Sequence, residues 1–286
     1  LFQMRPNLIL HLSILCCTLN LSFGFQSNRL KKSVFRCYNS ETSPEISTVL
    51  SEDKLVVSKV INSAAVNLED IKSELFALSA ACDRGFGASS TDREKANSLI
   101  EKLQLLSPIA TPTQNLFPSN KSISEFVPLE GAWKLVYTSA FDVISLAASP
   151  FTLLQGIYQV ISRDGRSANI IDLAPRIQAA LPQFLVGSGS TLRLKVGTSS
   201  YAKSSTRVGL SFRSIEAKPL TLLGNPVDFL PKFSSFLPQA AVFGDGEGPG
   251  YFDVLYLDHN CLIIKQNSPG GVFVNIRSEK PIESFL

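Results

Sequence analysis

Two histidines and five cysteines leave this 286-residue chain few means of catalysis. His11, Cys16, Cys17 and Cys37 fall in the first 40 residues, so the remainder holds only His259, Cys82 and Cys261. A Ser-His-Asp or Cys-His constellation would have to be built on His259, because each needs an imidazole to take the proton from its nucleophile. Asp258-His259-Asn260 reads instead as a turn between strands. Two cysteines and one histidine at no recurring spacing give no zinc site. The run Gly244-Asp245-Gly246-Glu247-Gly248-Pro249-Gly250 has two acids and no lysine, so it would repel a phosphate and reads as a flexible connection. A paired-acid mechanism would need Asp172, Asp253 or Asp258 turned into one cavity. The expectation is a protein without catalytic residues, metal or cofactor.

Charge narrows the partners further. The formal net charge is +3, but residues 1–40 carry five basic groups and no acid, so without them the chain is slightly acidic. No basic stripe is left to follow a phosphate backbone, which excludes a nucleic-acid binder. At 44% hydrophobic and 18% charged, the chain can bury a sizeable core.

The first 40 residues read as an address. From Met4 a single Arg5 precedes a mostly apolar run, Leu8 to Phe23, and Ser22-Phe23-Gly24 offers a signal-peptidase site. The run is too short to span a bilayer. Residues 25–36 are basic, serine-containing and free of acids, as in a transit peptide. A signal peptide followed by a transit-like segment resembles the bipartite presequence of algae with secondary plastids; secretion with a basic remnant is the alternative.

The remainder divides by period. Residues 41–124 begin with a Ser/Thr/Glu-rich linker and continue as helices. Val57, Val60, Ala64, Leu68, Ile71, Leu75 and Leu78 recur three or four apart, with Asn67 a candidate cap for a second piece. Thr91-Asp92-Arg93-Glu94 reads as a capping box opening a further helix to Leu106. From 125 to 286 the period is 2. About eight short strands follow, around Trp133–Tyr137, Ile157–Ser162, Asn169–Leu173, Leu192–Val196, Val208–Phe212, Phe252–Tyr256, Cys261–Gln266 and Val272–Ile276. Such a set predicts an all-β antiparallel barrel or sandwich preceded by two or three α-helices. A barrel of eight strands has room for one small ligand or is filled by its own side chains.

The alternation puts Leu135, Tyr137, Tyr158, Leu194, Leu210, Phe212, Val254 and Val274 forward as a ligand-binding set, with the opposite parity left open. Two connections are too apolar for simple loops: Phe141 to Leu154, and Leu220 to Leu237. Phe151, Leu154, Phe229, Phe233 and Phe236 are the candidates there for contact with a lipid surface, the last three sharing one helical face if a helix forms.

At Leu129-Glu130-Gly131-Ala132-Trp133-Lys134-Leu135-Val136-Tyr137-Thr138-Ser139 the chain resembles the plastid lipid-associated proteins, or fibrillins. Cys82-Asp83-Arg84-Gly85, Gly156–Ile161, Arg207–Phe212, and Tyr256-Leu257-Asp258 followed by Gly271–Val274 resemble further pieces of that family in the same order. The chain departs from it at Cys261-Leu262-Ile263 and Lys265, where the family places arginines. The resemblance implies a lipocalin-like barrel, residence at plastoglobules or thylakoids or in the stroma, and binding of carotenoids, quinones or fatty acids without an established catalytic residue. It also implies a structural pair, with Arg277 over Trp133 at the barrel base. The leading expectation is therefore a plastid protein that binds or coats lipid. The alternative is an adaptor docking on a plastid membrane enzyme or photosynthetic complex.

Overall fold

The computed structural model describes residues 68–116, 126–182, 187, 189–227, 229–236, 250–267 and 270–285. The presequence reading, the Asn67 cap and most of the 244–250 run lie outside the described residues. The description concerns the compact unit of residues 71–286 and the helix that leads into it.

Helix α1 (68–81) buries Ile71, Leu75 and Ser79, one face at spacings of four. It ends in a tight 3-10 turn, Asp83–Gly85, in which Asp83 and Arg84 adopt positive φ and Gly85 sits at φ +91°. A side chain at Gly85 would collide with the carbonyl of Thr138, so this turn can meet the sheet only through a glycine. Helix α2 (Ser90–Leu105) opens on a capping box between Ser89 and Asp92. The box lies two residues before the predicted one, because Ser89 has the extended backbone an N-cap requires whereas Thr91 is already in the first turn.

Ten strands follow: β1 (Gly131–Thr138), β2 (Thr152–Ile161), β3 (Arg166–Pro175), β4 (Thr191–Ala202), β5 (Arg207–Leu222), β6 (Asn225–Pro226), β7 (Phe233–Phe236), β8 (Gly250–Leu257), β9 (Cys261–Gln266) and β10 (Val272–Arg277). A short helix, α3 (Phe141–Ala147), bridges β1 and β2. The antiparallel order β4-β3-β2-β1-β10-β9-β8-β5 closes on itself through β4–β5 pairing. The fold is thus a closed eight-stranded barrel preceded by helices, with β6 and β7 added along the second half of β5. Closing a ring of eight requires bent strands, and register shifts at Leu135/Tyr137, Leu154/Gly156, Gly197/Thr198 and Val254/Tyr256 supply the bends.

One face of the strands is interior. Trp133, Ile161, Val208, Phe252, Val254, Leu262 and Ile264 come from opposite sides of the ring yet form one cluster, which they can do only across the lumen. Leu116, Val127 and Leu129 join them and plug this end, with the Trp133 indole N–H donating to the Leu129 carbonyl at 3.0 Å. The outer face of β1, β2 and β3 is covered by the C-terminus: Phe285 packs with Ala132, Val160, Ala168 and Ile170. The 83–85 turn lies on β1 and α2 on β8. Lys72 of α1 donates to Asp258 at 2.8 Å, tying the helix to the β8–β9 turn.

Candidate functional site

The two ends of the barrel differ. At the plugged end the interior is solid, with Trp133, Val208 and Leu262 fully buried. Toward the other end the inward positions remain apolar, and several of them are reached by solvent: Ile157 on β2, Ile171 on β3, Leu194 and Val196 on β4, and Leu210, Phe212 and Ile215 on β5 are only partly buried, while the inward pair Leu154 and Leu173 is buried. Apolar side chains that face inward yet still meet water line an accessible lumen. Between the two zones lies a polar belt. Ser167 shares hydrogen bonds with Thr198, at 2.6 Å, and with Ser200, while Gln159 and Asn169 stand opposite each other on β2 and β3.

Antiparallel topology sends the β1–β2, β3–β4 and β5–β8 connections to the open end, and these are the apolar ones. Phe141 opens α3 and Phe151 follows it; Ile177 and Leu181 follow β3; Leu192 lies at the start of β4; Leu222 ends β5, with Leu223 and Phe229 after it; and Phe233 begins β7. These nine account for most of the exposed large hydrophobic residues among those described, leaving Leu105, Leu106 and Phe126 elsewhere. Single exposed apolar residues are ordinary, but these are gathered on the connections at one end of the barrel. Within it, Val143 of α3 reaches inward to Leu135, Ile157 and Phe273. The neighbouring Asp142 has a buried carboxyl oxygen with no partner, and burial raises its pKa.

The candidate ligand set splits between the two faces. Leu135, Leu194, Leu210, Phe212 and Val254 face inward, Leu135 and Val254 within the packed region and the other three toward the opening. Tyr137, Tyr158 and Val274 face outward, which corrects the simple alternation. The bulge after Leu135 turns Tyr137 to the outside, where it pairs with Val274; both are fully buried there, the Tyr137 ring beside Gly85. Tyr158 pairs with Lys134 and packs on Phe285, ring centroids 4.9 Å apart.

Among the surface candidates, Phe151 and Phe229 are more than four-fifths exposed and Phe233 more than half. Leu154 is instead buried, paired inward with Leu173, and cannot touch a surface. Phe233–Phe236 is a strand rather than a helix, its register fixed by Ala217 and Ser214 of β5. The prolines at 226 and 231 and the unpaired edge of β5 favour that outcome.

The Arg277 guanidinium lies 4.3 Å over the Trp133 ring, its Nε donating to the His259 carbonyl and one terminal nitrogen to the Glu130 carbonyl. Gly131 makes this possible, since a Cβ there would come within 2.5 Å of the guanidinium. His259 is an exposed turn residue. The three acids worth testing as a pair are separated on the outer face. Asp172 is held bidentately by Arg193 and Asp253 by Arg207, while Asp258 accepts a single bond from Lys72. Cys82 and Cys261 are buried free thiols. No metal-binding cluster and no helix long and apolar enough to cross a membrane occur among the described residues. A cleft of about 450 Å³ between Gln104, Pro112, Arg207 and Asp253 lies outside the barrel and gathers no such chemistry.

Sequence reasoning missed Gln159 and Asn169. The signal was present in Ile157-Tyr158-Gln159-Val160-Ile161, where both parities are largely apolar and the lone amide had no assigned face.

A family model described as PAP_fibrillin matches residues 69–275. Among curated proteins, the probable plastid-lipid-associated protein 10, chloroplastic, of Arabidopsis thaliana is 28% identical over 298 aligned positions, covering 95% of this chain and 94% of that protein. No solved structure gives a significant match. The family match runs from the first helix through the Asp83–Gly85 turn and the ring of strands into β10, and on that extent the chain belongs to the PAP/fibrillin family.

Proposed function

We propose that this protein is a non-enzymatic plastid lipid-binding protein that takes one lipid into the open half of its barrel and meets lipid surfaces, such as plastoglobules or thylakoids, with the apolar rim around the opening. The observation that carries this reading is the pairing of the two: a solvent-reached apolar lumen ringed by exposed Phe and Leu side chains. Affinity comes from apolar area leaving water, at about 25 cal/mol per Å². The lumen and the rim do different work, so they separate experimentally. An uncharged hydrophobic fluorophore, N-phenyl-1-naphthylamine, is expected to saturate at one per chain. Ala217→Trp, whose side chain enters the lumen opposite Leu194, should abolish that binding. Unsaturable uptake that Ala217→Trp leaves unchanged overturns the cavity reading and leaves surface coating alone.

Plastid residence draws on the chloroplastic relative. The bipartite leader of residues 1–40 is a proposal from sequence, tested by whether those residues carry a fluorescent protein into a secondary plastid. Delivery to the secretory route alone would contradict it.

A further inference from the structure

On the reading of the lumen as a lipid site, we infer that its ligand is a neutral amphiphile with a carbonyl or hydroxyl head, inserted head-first so that the head meets the side-chain amides of Gln159 and Asn169. The two residues are direct cross-strand partners on β2 and β3. Gln159 is also opposite Trp133, and Asn169 opposite Val196. Their chain neighbours Tyr158, Val160, Ala168 and Ile170 belong to the outer cluster under Phe285, so strand alternation turns both amides into the lumen. Each is only partly buried, so the open lumen reaches down to them. Neither side chain has a hydrogen-bond partner among the described residues. Two amides at the floor of an apolar shaft, each offering donors and an acceptor, are unsatisfied once a lipid displaces water from them.

That floor discriminates among lipid heads. A pure hydrocarbon would seal both amides away from water with nothing to bond, which is costly. A free carboxylate would be desolvated without a cation. The one charged side chain at an inward strand position among the described residues is Arg277, and it is engaged at the base by Trp133 and the carbonyls of Glu130 and His259. A quinone carbonyl or an alcohol satisfies the amides with neutral hydrogen bonds, leaving its tail among Ile157, Ile171 and Leu194 and running to the rim.

Trp133, the only tryptophan, lies beside Gln159 and supplies the readout. The full chain would be titrated with decylubiquinone, hexadecane and palmitate at neutral pH, following Trp133 emission and displacement of N-phenyl-1-naphthylamine. The expected result is that decylubiquinone displaces the fluorophore and quenches Trp133 at one per chain, and binds at least tenfold tighter than palmitate. Replacing both amides, Gln159→Leu with Asn169→Leu, should weaken decylubiquinone about tenfold to a hundredfold, as two lost neutral hydrogen bonds predict, without weakening hexadecane. Displacement without Trp133 quenching, or palmitate as the tighter ligand, overturns the inference in the unaltered chain even if the double variant does not fold. Equal decylubiquinone affinity in the double variant overturns it while leaving the lumen a lipid site. Failure of the fluorophore itself to bind overturns the lumen reading instead.

Discussion

Asp258 accepts from Lys72 Nζ at 2.8 Å, from the Tyr256 hydroxyl at 2.6 Å, and from the backbone N–H groups of Asn260 and Cys261. Burial by itself raises the carboxyl, but these donors outweigh it and hold the group below the ordinary aspartate range. A carboxyl depressed in the folded state contributes stability that is complete above its unfolded pKa, near 4, and is lost as pH falls through the lower folded value. Thermal melts between pH 7 and pH 2 should therefore show a loss at the acid end that is smaller in Asp258→Ala. At neutral pH that variant should be less stable by about 3–5 kcal/mol, because the buried Lys72 ammonium, the Tyr256 hydroxyl and two backbone N–H groups all lose the carboxylate they share. An unchanged acid limb would contradict the assignment. Trp133 is a second residue-scale test. Trp133→Ala removes the centre of the packed base and should cost about 3–5 kcal/mol by denaturant titration. An unchanged denaturation midpoint would show that the indole does not hold the base together.

At the scale of elements, the Asp83–Gly85 turn fixes how the helices meet β1. Gly85→Ala combines a positive φ with a collision at the Thr138 carbonyl, and should destabilise by about 1–3 kcal/mol. A melting temperature equal to that of the unaltered chain would show that the turn can shift at no cost. The helical and strand periods of these elements are legible in the sequence because each buries one face. Bulges are not, since one extra residue reverses parity without leaving a mark in composition. That is why Tyr137, which alternates correctly with Trp133, lies outside the lumen; β10 carries no bulge, and Val274 lies outside with Ile276 because Phe273 and Asn275 are the inward parity of that strand. The strand at Phe233–Phe236 was equally hidden, because its register comes from β5 rather than from its own four residues. Both apolar connections stand out from the sequence as unusually hydrophobic. Their convergence on one end follows from topology, which closes only when β4 meets β5.

At the scale of the whole molecule, the barrel is closed and solid at one end and open and apolar at the other, with the helices and the C-terminal segment packed on its outside. Rim residues should govern attachment to lipid and leave the core untouched. Burying one Phe in an apolar phase is worth about 1.5–3 kcal/mol. The combined change Phe151→Ser, Phe229→Ser and Phe233→Ser should therefore abolish flotation with galactolipid vesicles while leaving the melting temperature within error. Retained flotation would place the contact surface elsewhere. The most direct test of the account is to incubate the purified full chain with a total plastid lipid extract, remove free lipid, and identify by mass spectrometry what remains bound. One neutral lipid class, retained near one per chain, is the predicted result. A chain that returns free of lipid, or coated with many classes in loose excess, would contradict a barrel that carries a single lipid in its lumen.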